Sequence, residues 1–191
     1  MATQSQGWEP GAALPKFRRA VWLGMIAMTM FFLALTLAYI VRHGLNVGWL
    51  SPQLATILSA NTFILLASSL ALWRAHQFLR ARQPRAMLRW LGTALGLGVL
   101  FLAGQAFAWR SLLLSGVYIA GHPNSGFFYI VTATHAAHIC VALGLLAWVF
   151  SRAWRGRMSI DRPLALDLTS IIWHCLDVTW VYLFLVLLFY R

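Results

Sequence analysis

Five long apolar runs alternate along the chain with short polar breaks, and each run is continuous where a half-buried strand would alternate. A hydrocarbon core about 30 Å thick is crossed by roughly 20 helical residues at about 1.5 Å each. The pattern therefore predicts transmembrane helices near Ala20–Val41, Pro52–Trp73, Met87–Leu114, Gly126–Phe150 and Leu166–Tyr190. Nothing between the runs is long enough for a soluble domain, and no fixed-period repeat is present. The expected fold class is all-α, a polytopic membrane helical bundle: residues 1–19 form an N-terminal segment and residues 20–191 one five-helix unit.

The polar residues inside these runs carry the candidate chemistry. The last run contains Trp173-His174-Cys175-Leu176-Asp177, with Trp180 beyond it. A carboxylate at the bilayer centre costs roughly 2.5 kcal/mol or more, so Asp177 needs a partner, a water-filled cavity or a chemical task. The fourth run contains Thr132, His135 and His138, and the spacing of three puts both imidazoles on adjoining positions of one helical face. They are candidates for metal or haem ligands, or for hydrogen-bonding partners inside the bundle. A catalytic metal generally takes three or more protein ligands, and the other intramembrane candidates are only His174 and Asp177, which favours the hydrogen-bonded reading.

Depth along the helices refines that reading. Asn61, Gln105 and His135 each fall roughly 12–14 Å from the same end of their helices, so a shared polar layer is expected. His138 and Asp177 come out near the midplane, with His174 about one turn away, so a His or Trp donor to Asp177 is expected, His138 or His174 before the others. The stretch Asn61-Thr62 to Ser68-Ser69 in the second run suits close helix packing and cross-helix hydrogen bonds. In the third run Gly92 and Gly96 have the Gly-x-x-x-Gly spacing of a helix contact, followed by Gly98 and Gly104.

Composition then excludes whole classes. With 61% hydrophobic and 10% charged residues among 191, the chain has too little polar surface for a soluble globule. The net charge of +11 does not point to nucleic acid, because the basic residues lie between the runs and form no tail or single face. They act as topology signals. With a cytoplasmic N-terminus, all of the 15 Lys and Arg residues except Arg42, Arg110 and Arg191 fall on the cytoplasmic side, so the N-terminus is expected inside and the C-terminus outside. Trp22, Trp49, Trp73, Trp90, Trp109, Trp148 and Trp154 lie near run ends, as an interfacial aromatic belt requires. Cys140 and Cys175 fall within apolar runs and give neither a disulfide framework nor a Cys-x-x-Cys pattern. The first run is too long for a cleaved signal peptide and is read as a membrane helix. In the loop Ser115 to Ser125, Gly116, Gly121, Pro123 and Asn124 are turn residues and His122 is expected to be solvated.

In order along the chain, Gly24-Met25, Met30-Phe31-Phe32, Asn61-Thr62, Leu65-Leu66-Ala67-Ser68, Ala75-His76, Gly98, Phe101, Gln105, Phe127-Phe128, Thr132, His135, His138, Trp173-His174, Asp177 and Trp180 form a pattern that covers almost the whole sequence. It resembles subunit III of haem-copper terminal oxidases, best matched by the cytochrome c oxidase branch. The resemblance implies an accessory subunit with no redox metal of its own. Such a subunit packs against subunit I, where the haems and copper reside, holds phospholipids, and sustains proton uptake and stable turnover in a bacterial inner membrane. Asn61, Gln105, Thr132, His135, His138, Trp173, His174, Asp177 and Trp180 are then structural or lipid-contacting and none is catalytic.

Two departures limit what the resemblance carries. The chain is similar to the short bacterial form that lacks the first two of seven helices. Met28 and Ala108 stand where family members commonly have carboxylates, so functions tied to those acids do not transfer. The related accessory protein of nitric oxide reductase and the quinol-oxidase subunit III are the neighbouring alternatives. A stand-alone b-type cytochrome using His135, His138 or His174 is the alternative from another class, and a small transporter would need a broken helix or internal symmetry that is not seen.

Overall fold

A lipid-facing backbone must satisfy its own hydrogen bonds, which leaves helices as the way for these runs to cross. The computed structural model describes residues 10–43, 52–116, 123–156 and 164–189. Among them are five helices: α1 (Pro10–His43), α2 (Pro52–Arg80), α3 (Pro84–Leu114), α4 (Pro123–Trp154) and α5 (Leu164–Phe189). All five are long and apolar enough to cross a membrane. The chain is a multi-pass membrane bundle.

The helices outrun the apolar stretches. α2 continues past Trp73 through Arg74, His76 and Arg80, because hydrogen bonding to the preceding turn does not end where hydropathy does. α1 begins at Pro10, so the boundary expected at residue 19 is not a break in secondary structure. The expected end at Tyr190 lies outside the described residues.

α2 and α3 form an antiparallel hairpin closed by three residues. Gln83 N–H donates to Phe78 O at 2.9 Å and Arg82 N–H to Leu79 O at 3.0 Å, with Arg82 at φ 54°; this is the Schellman closure. Pro84, whose missing N–H costs nothing at a first helical position, then starts α3. The buried seam of α2 is Leu54, Leu58, Asn61, Leu65, Ser68, Leu72, Ala75 and Leu79. That of α3 is Met87, Leu91, Ala94, Gly98, Phe101, Gln105, Ala108 and Leu112. Both advance by alternating steps of four and three, the period of left-handed coiled-coil packing.

α4 packs on α3, α5 on α4, and α2 on α5, which closes a four-helix ring; α1 rests on α4 and α5 from outside. It contributes Met28, Phe32, Thr36 and Tyr39 to the interior, with Tyr39 stacked on Phe127 at 4.5 Å. Its opposite face, including Leu23, Ile26, Met30 and Leu37, is exposed.

Trp22, Trp73, Trp90, Trp148 and Trp154 are exposed, as interfacial anchors should be, whereas Trp49 lies outside the described residues. Trp109 differs: it is partly buried and its indole N–H donates to Thr132 Oγ1 at 3.1 Å, so it fastens α3 to α4. The Gly-x-x-x-Gly pair also differs. A Cβ on Gly96 would meet nothing within 4 Å, and one on Gly92 would touch only Phe150. The close approaches are at Gly98, against Trp173, and Gly104, against the Asn61 amide.

Candidate functional site

Many of the polar residues of the interior lie on the contacts of α2 with α3 and α5. On the α3 side, Asn61 Nδ2 donates to Gln105 Oε1 at 3.0 Å and to Phe101 O at 3.1 Å, while Ser68 Oγ donates to Ala94 O at 2.8 Å. Every donor and acceptor here is on a seam residue. A cross-helix amide pair at one seam position fixes register, since sliding by a turn would leave both side chains without partners.

The α5 side carries a ladder. Thr62, Ser69 and His76 recur every seven residues on α2 and meet Trp180, His174 and Ser170 in turn. Trp180 Nε1 donates to Thr62 Oγ1 at 3.0 Å, and Thr62 donates onward to Leu58 O at 2.8 Å. Ser69 Oγ and His174 Nδ1 are 2.5 Å apart, and His76 Nε2 and Ser170 Oγ 2.7 Å. His76 Nδ1 also lies 3.6 Å from Asp167 Oδ1. Ser69, His76, Asp167 and Ser170 were not singled out as site residues by the sequence; the signal that finds them is the heptad step Thr62, Ser69, His76 on the antiparallel partner of α5.

The expected site residues are brought together in part. Asn61 and Gln105 share a layer as anticipated, but His135 is not bonded to them. Both of its nitrogens are buried without a hydrogen bond, and its ring lies 5.0 Å from Trp180 and 5.9 Å from Phe32. Phe101 completes this aromatic cluster, edge-on to Trp180 at 5.1 Å. Thr132 accepts from Trp109 and donates to Phe128 O at 2.7 Å. Trp173 is fully buried against Gly98, its indole nitrogen unpaired.

Asp177 is 3% exposed and faces the interior, so it does not meet lipid. The donor expected for it is not found: neither carboxyl oxygen has a hydrogen bond in this conformation. His138 shares its depth but not its direction; its Nδ1–H donates to Thr134 O at 2.7 Å on its own helix, and its ring faces Phe32 at 5.8 Å. His174 is committed to Ser69. That serine is also the polar group beside Asp177.

At the basic end, α1, α2 and α5 leave a cleft of about 410 Å³ lined by Arg18, His76, Arg80, Asp167, Ser170 and His174 among others. Among the described residues no three His, Cys, Asp or Glu side chains converge as a metal site would require, and Cys140 and Cys175 are both free thiols.

Among the described residues these features define an all-helical multi-pass membrane bundle with side-chain hydrogen bonds between its helices. The family model described as cytochrome c oxidase subunit III matches residues 6–191. The chain belongs to the cytochrome c oxidase subunit III family, in its five-helix form. It is 28% identical over 173 residues to "Cytochrome c oxidase subunit 3" of a Synechocystis strain, covering 86% of this chain and 72% of that one. The protein of the same name from Thermostichus vulcanus is 26% identical over 169 residues, 85% of this chain and 82% of that one. A "Probable quinol oxidase subunit 3" of Staphylococcus saprophyticus is 28% identical over 124 residues, covering 64% of this chain and 61% of that one.

Proposed function

We propose that this chain is the accessory subunit III of a bacterial haem-copper terminal oxidase of the cytochrome c oxidase type. In this reading it packs against catalytic subunit I, which holds the haems and copper, binds phospholipid, and supports proton uptake and stable turnover. The observation that carries the proposal is the family match along nearly the whole length of the chain. The interior supports it: the histidines and Asp177 are distributed over several helix contacts, the arrangement of a scaffold. The distribution of Lys and Arg supports a cytoplasmic N-terminus and an outside C-terminus for a subunit of the inner membrane.

The test is mild-detergent purification of a tagged chain. A haem-copper catalytic subunit with its haem absorbance should accompany it; recovery of the tagged chain with no such partner would overturn the proposal. The relative named as a quinol oxidase subunit makes the donor a second question. Oxygen consumption by the purified complex with reduced cytochrome c, and with a quinol, separates the two oxidases.

A further inference from the structure

The α2–α5 ladder contains a step that helix packing does not explain. Asp177 is buried at half-depth with both oxygens unpaired, and a carboxylate left so would be among the costliest groups in a membrane interior. A neutral carboxylic acid is tolerated far better, and it is a proton donor. Its polar neighbour is Ser69 Oγ, the same atom that lies 2.5 Å from His174 Nδ1. The rest of the His174 side chain reaches the cleft at the basic end, where His76, Ser170 and Asp167 form a second hydrogen-bonded group. Two side chains therefore separate an open cleft from a buried acid.

We propose that Asp177 is a reversible proton-binding site, loaded and emptied through Ser69 and His174 from the cleft between α1, α2 and α5.

The step balances without any co-reactant. In the loaded state the Asp177 carboxyl, unbonded in this conformation, turns to donate to its neighbour Ser69 Oγ, and Ser69 O–H donates to the bare Nδ1 of a neutral His174. Unloading breaks the Asp177 O–H bond and forms a new O–H bond on Ser69, while the old Ser69 proton passes to His174 Nδ1. The products are an Asp177 carboxylate and a His174 imidazolium, which gives up its Nε2 proton to water in the cleft. One proton leaves and the serine is unchanged.

Asp177 is the end of the line. On its far side Trp180 commits its N–H to Thr62, Thr62 commits its hydroxyl to Leu58 O, and Leu183 and Leu187 are apolar and buried. The site therefore stores a proton and does not conduct one across. The charged and titratable groups around the path are Arg18 from α1, His76 and Arg80 from α2, Asp167 on α5 and, behind Trp180, His135 from α4. His138 is turned toward Phe32 of α1. This inference rests on the chain's own residues, whichever oxidase it serves.

Infrared difference spectroscopy between acidic and alkaline buffer tests it, on the full-length protein extracted in native-lipid discs with its membrane partners. A protonated-carboxyl band that is absent from the isosteric variant Asp177→Asn is expected, and it should shift in deuterium oxide. In Ser69→Ala the band should persist but exchange at least tenfold more slowly, and Ser69→Thr, which keeps the hydroxyl, should restore the rate. Either of two results would overturn the proposal: no Asp177-dependent band at any pH, or exchange as fast in Ser69→Ala as in the parent. Loss of the catalytic partner during purification would bear on the oxidase assignment alone, because the band belongs to this chain.

Discussion

Replacing Gly98 by alanine should unsettle the bundle far more than the same change two residues earlier. A Cβ at Gly98 would stand 2.7 Å from Trp173 Cη2 and 3.1 Å from Cζ2, whereas one at Gly96 would meet nothing within 4 Å. The indole cannot swing clear, because Trp173 is fully buried. Forcing a methyl group into a packed interior costs about 1–3 kcal/mol. Removing a glycine from a helix returns at most about 1 kcal/mol. With the full helical return the net loss is up to about 2 kcal/mol, and the difference from Gly96→Ala, where only the return operates, is about 1–3 kcal/mol. Reversible unfolding in mixed micelles, followed by helical circular dichroism, reads this directly, with Gly96→Ala as the matched control expected to be neutral or slightly stabilised. Trp173→Phe removes the two offending carbons, so in the Gly98→Ala background it should recover part of the loss although it is destabilising alone. Equal stability of Gly98→Ala and Gly96→Ala, or no coupling with Trp173→Phe, would refute the reasoning.

Asn61→Leu removes both hydrogen bonds to α3; at about 0.6 kcal/mol for a typical interhelical bond in a membrane, a loss of about 1 kcal/mol is expected in the same unfolding assay. Parental stability in that variant would show that the amide pair contributes nothing net. For orientation, Ser115→Cys should react with a membrane-impermeant maleimide in spheroplasts while Arg155→Cys reacts only after permeabilisation; the reverse pattern would invert the topology. The chain stripped of its partners should show no Soret band, and a band abolished by His135→Ala would establish a cytochrome instead.

The five spans were legible because a bilayer demands continuous apolar runs, and no soluble alternative competes for a chain of this composition. The internal seams were not, for the same reason. In α3 the buried Leu91 and Phe101 and the exposed Val99 and Leu100 are alike in hydropathy, so no apolar stripe marks the inward face. What marks it is the small or polar residue at seam spacing, Asn61, Ser68, Gly98 and Gln105. Gly96, one face away, is indistinguishable in a motif search, yet a Cβ there would meet nothing within 4 Å. Depth counting brought Asn61 to Gln105 correctly, but it carries no azimuth, and His138 turned out to share a level with Asp177 while pointing at α1. His76 falls beyond the span expected to end at Trp73, because hydropathy falls at Arg74, although the helix continues to Arg80.

The position of α1 bears on how the chain is made. α2 and α3 are neighbours in sequence and can pair as soon as both have left the ribosome, since their seam is complete within one hairpin. Among the described residues α1 makes no close backbone approach to that hairpin; the helices it packs on, α4 and α5, are synthesised last. Throughout most of translation the first helix is a solitary segment adrift in lipid, its Phe32 and Tyr39 without the rings they later meet. A polypeptide truncated before α4 would contain a sound hairpin and an orphan first helix, since α4 carries the rings that Phe32 and Tyr39 meet.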